Sequence, residues 1–395
     1  MIGVIADDIS GAAEIAGVGL RHGLRAEVLL KGRPGKGADL VCIDTDSRFC
    51  SPREAARRTA AAAKVLHRAG AKWIYKKTDS VLRGEVAAEV LAVAKELRLS
   101  AILLHPANPG FGRIIRGGNY FVGGKLLHKT EFLRDPAHPR TTADVCKLLD
   151  AAESASVRLG KLSKPVAAEG IIICESTSAR EVRAWARRAT PDLLVAGGSE
   201  FFSALLDVRL PAGRRRTGKT PARGKSPSRK APGRELFVCG TTSKSAQDFV
   251  RGARLAGTPI FSLPGELAWG ADFTRPAIDI IKGKVLAAFA HHPRVILQTG
   301  LPPVQEIPVA QRLAGYLTQL AGVILKDSAV QRVYAEGGAT AVELARRMGW
   351  TRLTVVREIA PGVATLGVPG RSSLHLTIKP GTYVWPKEIQ TPSDR

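Results

Sequence analysis

The sequence predicts an α/β protein made of two domains, each built on a mostly parallel sheet. The length of 395 residues suits two domains of about 100–200 residues each. The predicted strands are apolar throughout, as in sheets that helices cover on both faces. Amphipathic, alanine-rich stretches alternate with those strands, which is typical of α/β folds. Hydrophobic residues make up 45% of the chain and charged residues 24%, which excludes wholesale disorder.

In the first half of the chain, short apolar runs predict strands and alanine-rich stretches predict helices. The predicted strands are 2–6, 27–30, 40–43, 73–75, 102–104, 171–174 and 193–196. The predicted helices are 12–22, 52–69, 85–97 and 179–189. Residues 108–139 are rich in Gly and Pro and predict a long irregular excursion, and long excursions from compact domains usually carry function.

The second half repeats this alternation. Its predicted strands are 235–239, 259–262, 294–297 and 353–357, and its predicted helices are 244–256, 277–290, 309–324 and 340–348. Between the halves, residues 212–234 contain nine Lys or Arg and no acidic residue, among several Pro, Gly and Ser. Such a segment cannot bury enough apolar surface to order itself, so it predicts a flexible basic linker. The predicted domains are therefore 1–211 and 235–395.

Part of this linker matches the P-loop pattern letter for letter. Residues 213–220 read GRRRTGKT. A working P-loop needs a strand before it and a helix after it, so that backbone N–H groups converge on phosphate. Pro221 follows at once and Pro227 comes soon after, so no helix can begin there. We interpret the match as chance.

Composition and terminal sequence exclude several classes of protein. No run approaches the roughly 20 apolar residues of a membrane helix, and the N-terminus lacks the basic start of a signal peptide, so we expect a cytoplasmic protein with no membrane partner. The five cysteines are scattered without metal-ligand spacing, which argues against a zinc site and a disulfide framework. The net charge of +24 raises nucleic-acid binding as an alternative, but only 5% of residues are aromatic and no nucleic-acid motif is present.

Polar and charged side chains follow three of the predicted strands, those at 2–6, 40–43 and 73–75. The residues concerned are Asp7, Asp8, Arg48, Lys77, Thr78, Asp79, Ser80 and Arg83. Open α/β sheets bind their ligands at the carboxyl ends of parallel strands. A single Asp or Ser in such a place could simply cap a helix. Three strand ends with the same chemistry instead favour one polar crevice for an anionic, hydroxyl-rich ligand.

Ordered motifs include these strand ends and continue beyond them. In the first half they are ADDISGA at 6–12, DSR at 46–48, KKTDSVLRG at 76–84, PANPGFGR at 106–113 and TEFLRDPAHP at 130–139. In the second half they are GTTS at 240–243, GGAT at 337–340 and KPG at 379–381. In this order they resemble the four-carbon acid sugar kinase family, which includes threonate, erythronate and 3-oxo-tetronate kinases. The resemblance spans nearly the whole chain.

The resemblance implies an ATP-dependent kinase that phosphorylates a hydroxyl of a four-carbon acid, with Mg²⁺ and an active site in the cleft between the domains. It implies that the N-terminal domain binds the acid through Asp8, with Asp7, and through Arg48, Lys77, Thr78, Asp79, Ser80 and Arg83. It implies that the C-terminal domain binds the nucleotide through Ser243, Gly337, Gly338, Ala339, Thr340 and Gly381. Arg48 or Lys77 can pair with the substrate carboxylate, and an Asp can accept the proton of the attacking hydroxyl. For this base we favour Asp7 or Asp8, with Asp79 second.

Three features on the nucleotide side depart from the family pattern. The family usually reads GGDT where this chain has Ala339, and its nucleotide loop usually reads K-x-G-x-F-G where this chain has Tyr383 and Val384. The basic linker is a third departure. One alternative is therefore a kinase-like protein that binds the acid but turns it over slowly or not at all. The identity of the acid, the hydroxyl that reacts and the formation of a homodimer stay open.

Overall fold

The computed structural model describes residues 1–135, 137–149, 156–211, 233–301 and 306–390. The chain divides into two compact units, unit 1 from Met1 to Arg216 and unit 2 from Thr217 to Arg395. The division falls inside the predicted linker. Residues 212–232 of that linker, including the P-loop-like stretch 213–220, lie outside the described residues. Arg234, placed in the linker by the sequence, is instead the first residue of a strand.

Unit 1 is a parallel sheet with helices and a small second sheet. Its strands are β1 (Ile2–Ala6), β2 (Ala26–Leu29), β3 (Leu40–Asp44), β4 (Ile74–Lys77), β5 (Ala101–His105), β6 (Arg113–Arg116), β7 (Asn119–Val122), β8 (Lys125–Leu126), β9 (Val157–Gly160), β10 (Gly170–Cys174) and β11 (Leu193–Gly197). Its helices are α1 (Ile9–Arg21), α2 (Pro52–Arg68), α3 (Val86–Leu97), α4 (Val145–Leu148), α5 (Ala179–Arg187) and α6 (Ser199–Arg209).

The order of strands in unit 1 places β1 between β3 and β4. The main sheet runs β2-β3-β1-β4-β11-β5-β10-β9, and its paired strands are parallel. The chain first builds the sheet on one side of β1, with β2 and β3, and then moves to the other side with β4. Such a reversal opens a crevice at the carboxyl ends of the strands, and ligands bind there in open α/β sheets. Strands β1, β3 and β4 are buried along their whole length.

Unit 2 has the same arrangement around its first strand. Its strands are β12 (Arg234–Cys239), β13 (Ile260–Ser262), β14 (Arg294–Gln298), β15 (Val330–Glu336), β16 (Arg352–Ala360), β17 (Val363–Val368) and β18 (Arg371–Lys379). Its helices are α7 (Lys244–Leu255), α8 (Arg275–His291), α9 (Ile307–Asp327), α10 (Gly338–Arg347) and α11 (Lys387–Gln390). The strands run β13-β14-β12-β15-β18-β17-β16, parallel from β13 to β18, with β17 antiparallel to both of its neighbours.

The α/β fold predicted from the sequence is confirmed, and each predicted strand and helix has a counterpart. The prediction was wrong in calling residues 108–139 irregular throughout, because β6, β7 and β8 form a separate antiparallel sheet there. It also missed β9, β15, β17, β18 and the helices α4, α6 and α11. Strands β15 and β18 carry polar residues among their apolar ones, so a search for continuous apolar runs passes over them. None of the helices in the described ranges is long and apolar enough to cross a membrane.

A close approach between the end of β12 and helix α10 depends on Gly240. A Cβ atom added at this residue would lie 2.0 Å from Thr340 Oγ1 and 3.2 Å from Thr340 Cβ. Thr340 is buried in the first turn of α10 and cannot simply move into solvent. The absence of a side chain at Gly240 therefore lets the turn after β12 lie against the start of α10.

We expect Gly240→Ala to lower the free energy of unfolding by about 1–3 kcal/mol, because the added methyl group overpacks this contact. Denaturant unfolding of the full chain measures the change. The matched control is Gly252→Ala in α7, where an added Cβ meets nothing within 4 Å and the better helix former should leave stability unchanged or raise it by up to about 1 kcal/mol. Equal stability of Gly240→Ala and the natural protein would contradict the packing described here.

Candidate functional site

The structure brings the predicted residues at the ends of β1, β3 and β4 into one cluster around Arg48. The Arg48 guanidinium donates from Nε to Asp7 Oδ2 at 2.7 Å and from Nη2 to Asp7 Oδ1 at 2.9 Å. It also donates from Nη1 to Asp8 Oδ2 at 3.0 Å, and Nη2 lies 4.0 Å from Asp79 Oδ2. One guanidinium thus connects acidic side chains from two neighbouring strand ends while itself following a third.

The three aspartates differ in how readily they ionise. Burial opposes the charge of Asp7, but the positive charges around it, led by Arg48, outweigh burial and hold its pKa below the ordinary value. Burial likewise opposes the charge of Asp79, but Arg83 and Arg48 outweigh it and hold its pKa well below the ordinary value. For Asp8, burial together with the neighbouring Asp7 carboxylate outweighs Arg48, so its pKa is raised. Environments that separate carboxylate pKa values in this way are a mark of acid–base sites.

Asp8 is also better placed than Asp7 to contact a ligand. Its side chain is 18% exposed, whereas that of Asp7 is 2% exposed. Asp8 is the N-cap of α1, where its Oδ1 accepts a hydrogen bond from the Gly11 N–H at 2.8 Å. The capping role considered from the sequence is therefore real, and it leaves acceptor capacity on both carboxylate oxygens.

Lys77, the last residue of β4, already has an ion-pair partner and a hydrogen-bond partner within the protein. Its Nζ is 3.2 Å from Glu14 Oε2 and donates to the Thr78 carbonyl at 3.0 Å. Burial opposes its charge, but Glu14 and the nearby aspartates outweigh burial and raise the pKa of Lys77. The sequence left Arg48 or Lys77 as the partner of a substrate carboxylate, and in the structure each is paired with carboxylates of the protein.

A second buried pair supports the loop that carries Arg48. Lys76 Nζ lies 2.9 Å from Glu89 Oε2, and both side chains are essentially inaccessible to solvent. The Ser47 hydroxyl donates to Glu89 as well, so helix α3 is tied to the residue next to Arg48. Sequence reasoning missed both Glu14 and Glu89. The available signal was an acidic residue inside an otherwise apolar helical stretch, because a carboxylate on a buried helix face needs a partner.

The excursion after β5 lies against the end of β4. Arg83 donates from Nη2 to Asp79 Oδ2 at 2.8 Å and from Nη1 to Asp135 Oδ2 at 3.1 Å. Arg113 of β6 donates to the Ser80 hydroxyl. The sequence singled out the stretches that contain Asp135 and Arg113 as segments able to fold over the crevice, and both contact it.

In unit 2 the predicted nucleotide turns follow the neighbouring strands β12, β15 and β18. Ser243 is the N-cap of α7, and its Oγ donates to the Gly381 carbonyl at 2.7 Å. Gly337 is the N-cap of α10 with φ +95°, and its N–H donates to the Lys379 carbonyl at 2.9 Å. The N-termini of α7 and α10 thus lie at turns that share the loop after β18. Gly338, Ala339 and Thr340 form the first turn of α10.

Lys379 shapes the loop after β18 from the inside. Its Nζ lies 2.7 Å from Glu336 Oε1 and donates to the carbonyls of Pro380 at 3.0 Å and Tyr383 at 2.5 Å. The Lys379 and Glu336 side chains are fully buried. Because the C=O and the next N–H of a peptide unit point in opposite directions, carbonyls turned towards Lys379 turn the following N–H groups away from it. Outward N–H groups beside helix N-termini suit an anion.

A cavity of about 430 Å³ borders the turn after β12, on the side of that turn that faces β14. Its lining includes Thr241 and Thr242 after β12, Gln247 and Arg251 of α7, and Thr299 after β14. The volume lies in the range of small-molecule sites, and the position is again the carboxyl end of adjacent parallel strands.

Two family models match this chain, one within each unit. A family model described as a sugar-binding N-terminal domain matches residues 2–205, and one described as a nucleotide-binding C-terminal domain matches residues 273–383. The pair defines a class of two-domain sugar kinases. The chain belongs to the four-carbon acid sugar kinase family.

Curated relatives cover nearly the whole chain. A 3-oxo-tetronate kinase of Brucella melitensis is 26% identical over 97% of this chain and 92% of its own length. A D-threonate kinase of Salmonella typhimurium is 25% identical over 91% of this chain and 89% of its own. A crystal structure of a Haemophilus influenzae protein has a TM-score of 0.70 at 22% identity over 96% of each chain, and it bears on the fold alone. The resemblance stated from the sequence is confirmed.

We expect Asp79→Asn to destabilise the protein at neutral pH by about 1.5–3 kcal/mol, because Arg83 loses a charged hydrogen-bond partner and keeps only Asp135. The folded pKa of Asp79 is depressed, so its contribution is present above the unfolded pKa of about 3.9 and is lost as the pH falls towards the folded value. The stability gap between variant and natural protein should therefore narrow below about pH 4. Urea unfolding over a pH series measures it.

The control for this series is Asp279→Asn, whose carboxylate pairs with Arg275 on the surface at 3.0 Å. Exposed ion pairs contribute about 0–1 kcal/mol, so the free energies of unfolding of Asp279→Asn and the natural protein should differ little at every pH. An Asp79→Asn gap that is as large at pH 3 as at pH 7 would contradict the assignment of a depressed pKa.

Proposed function

We propose that this protein is an ATP-dependent kinase that phosphorylates a hydroxyl group of a four-carbon acid sugar of the threonate, erythronate or 3-oxo-tetronate type. The observation that carries the proposal is the cluster at the ends of β1, β3 and β4, where Arg48 contacts Asp7 and Asp8 and lies near Asp79. The names of the curated relatives support the substrate class. The matched nucleotide-binding domain supports ATP as the donor.

Within this cluster we assign Asp8 as the general base. A base must be reachable and must hold a proton readily during transfer, and Asp8 combines partial exposure with a raised pKa. Asp7 and Asp79 stay ionised beside their arginines and keep Arg48 in place. Phosphoryl transfer depends mainly on alignment and on charge stabilisation, so a rigid arrangement around the reacting hydroxyl is the principal requirement on this side.

On the donor side, we assign the phosphates to the turns after β12, β15 and β18. Helix N-termini attract phosphate through their free N–H groups, and α7 and α10 begin at two of these turns. Gly337 and Gly381 leave room for a close approach by an anion. The cavity bordered by Thr241 and Thr242 is our candidate for the remainder of the nucleotide. That the acid and the nucleotide meet in a cleft between the domains stays a prediction.

Mg²⁺ accompanies ATP in kinases and neutralises charge on its phosphates. In the described part of the chain, no group of three or more His, Cys, Asp or Glu could hold a metal ion. Glu336, the carboxylate at the end of β15, is paired with Lys379. These residues do not fit a dedicated Mg²⁺ site, so the ion belongs to the proposal only as one carried by the phosphates and by water.

The direct test is release of ADP in a coupled assay, with saturating Mg²⁺-ATP and a panel of D- and L-threonate, D- and L-erythronate and the corresponding 3-oxo acids. We expect turnover with at least one acid and none with the tetritols of the same stereochemistry. Mass spectrometry of the product should show one added phosphate. No ADP release and no product with any acid would overturn the proposal.

We expect Asp8→Asn to lower kcat by about 10²–10⁴-fold, because the substrate hydroxyl loses its base. Asn still caps a helix, and the raised pKa of Asp8 means that its ionised form is disfavoured in the folded protein, so stability at pH 7 should be unchanged or higher. In the natural protein, kcat/KM should fall as the pH is lowered through the pKa of Asp8. An unchanged kcat in Asp8→Asn would contradict the assignment of Asp8 as the general base and leave Asp7 or Asp79 as the candidate.

A second candidate is a binder of the acid with weak or no catalysis, which Ala339 favours because it replaces a carboxylate common in the family. Ala339 is exposed in the first turn of α10, where phosphate binding through backbone N–H groups needs no side chain. We expect Ala339→Asp to change kcat/KM for ATP by less than about threefold relative to Ala339→Asn, its uncharged control. A gain of about tenfold or more would favour the impaired enzyme.

Several narrower expectations from the sequence stay predictions. They are the cytoplasmic location, the flexible linker over residues 212–232 and the absence of a nucleic-acid role, and the formation of a homodimer stays open. The domain limits 1–211 and 235–395 likewise stay predictions as functional boundaries.

A further inference from the structure

The ion pairs around the crevice of unit 1 contain more carboxylates than cations. In the described ranges, six carboxylates are joined to four cations. They are Asp7, Asp8, Glu14, Asp79, Glu89 and Asp135 on one side and Arg48, Lys76, Lys77 and Arg83 on the other. Each of the four cations is already paired with at least one carboxylate of the protein, so none of them is left over for the carboxylate of a ligand. A cation outside the set is therefore needed to hold it.

Arg113 is a cation at the edge of this set. Its side chain donates to the Ser80 hydroxyl, directly after Asp79, and its Cζ lies 5.8 Å from the centroid of the Phe132 ring. Within the described part of the chain these two partners are uncharged. Its backbone is fixed by a reciprocal pair of hydrogen bonds with Asn108, at 2.9 and 3.2 Å. Arg113 is thus anchored by its backbone and by Ser80, and its guanidinium has no carboxylate partner among the described residues.

We propose that Arg113 binds the carboxylate of the substrate and so makes this kinase select acids over neutral sugars, an inference that rests on the function proposed above. A guanidinium offers five N–H donors in a planar fork that fits a carboxylate with two parallel hydrogen bonds. Ser80 engages one of these donors, from Nη1. The acid end of the substrate then lies at Arg113, and the remaining hydroxyls face the aspartates.

The other cations near the crevice are less suited to this role. Arg48 is held by Asp7 and Asp8, and Lys77 by Glu14. Arg140 donates from Nε to the His138 carbonyl at 2.8 Å and from Nη1 to the Leu82 carbonyl at 2.9 Å, so two of its nitrogens bind backbone. Arg113 is the one among these arginines and lysines that combines a neutral partner with a place beside Ser80.

The test compares Arg113→Gln and Arg113→Lys with a matched control, Arg116→Gln. Arg116 lies on the same strand β6, is exposed, and stacks on Phe121 instead of Phe132. For each protein we would measure KM for the preferred tetronate, KM for ATP, and the affinity for the tetronate and its tetritol by calorimetry without nucleotide. Thermal unfolding confirms that each variant is folded, and the lysine variant keeps a positive charge if the glutamine variant is unstable.

We expect Arg113→Gln to raise KM for the acid by about 10- to 100-fold, as for loss of a charged hydrogen-bonded pair, with KM for ATP unchanged. The affinity for the acid should fall towards that for the tetritol, Arg113→Lys should lie in between, and Arg116→Gln should match the natural protein. Equal acid affinity in Arg113→Gln and Arg116→Gln would overturn the inference. An equal loss for acid and tetritol would also overturn it, since Arg113 would then only shape the site.

These outcomes separate the inference from the proposed function. A natural protein that binds and phosphorylates a tetronate, with an unaffected Arg113→Gln variant, overturns the inference alone. A natural protein that neither binds nor phosphorylates any tetronate overturns both. Acid binding that is lost in Arg113→Gln, in a natural protein that releases no ADP, supports Arg113 and overturns the kinase assignment.

Discussion

The two hydrogen bonds between Arg48 and Asp7 are the interaction on which the site of unit 1 depends. The Asp7 side chain is almost completely buried, and an unpaired carboxylate in that position would cost several kcal/mol. Arg48 must therefore stay on Asp7, and this fixes the distances from the same guanidinium to Asp8 and Asp79. A cation that holds three strand ends together is not free for a ligand, and so recognition of an acid falls to a different residue.

The two units use one strand order for two kinds of chemistry. In unit 1 the chain reverses around β1 and in unit 2 around β12, so each sheet opens a crevice beside its first strand. Acidic and basic side chains occupy that edge in unit 1. In unit 2 the corresponding turns carry Gly, Ser and Thr, with the cationic Lys379 buried behind them. Side chains suit the varied hydroxyls of a sugar acid, whereas phosphate is bound well by backbone N–H groups at helix N-termini.

Much of the fold and part of the site could be predicted from the sequence, for physical reasons that also explain the failures. Buried parallel strands are apolar throughout, so β1, β3 and β5 are visible without any structure, and their ends mark the crevice. Strand β18 alternates polar and apolar residues, and Glu14 and Glu89 lie on helices, so none of the three belongs to a continuous apolar run or to the end of one. The partners of Arg48 depend on which strands are neighbours in the sheet. That order is a long-range property, which no local pattern of residues contains.

The difference between Asp7 and Asp8 shows how adjacent residues can divide stability from chemistry. Asp7 carries a permanent charge that stabilises the cluster, and this charge is also one reason why the pKa of Asp8 is raised. Capping of α1 by Asp8 favours its ionised form, since the N-terminus of a helix attracts negative charge. Burial and Asp7 oppose that preference and prevail. Of these aspartates, Asp8 has the least favoured ionised form and is therefore the one that can take up a proton. Asp7 stays ionised because it is bound to Arg48, and its negative charge helps to keep the pKa of Asp8 raised.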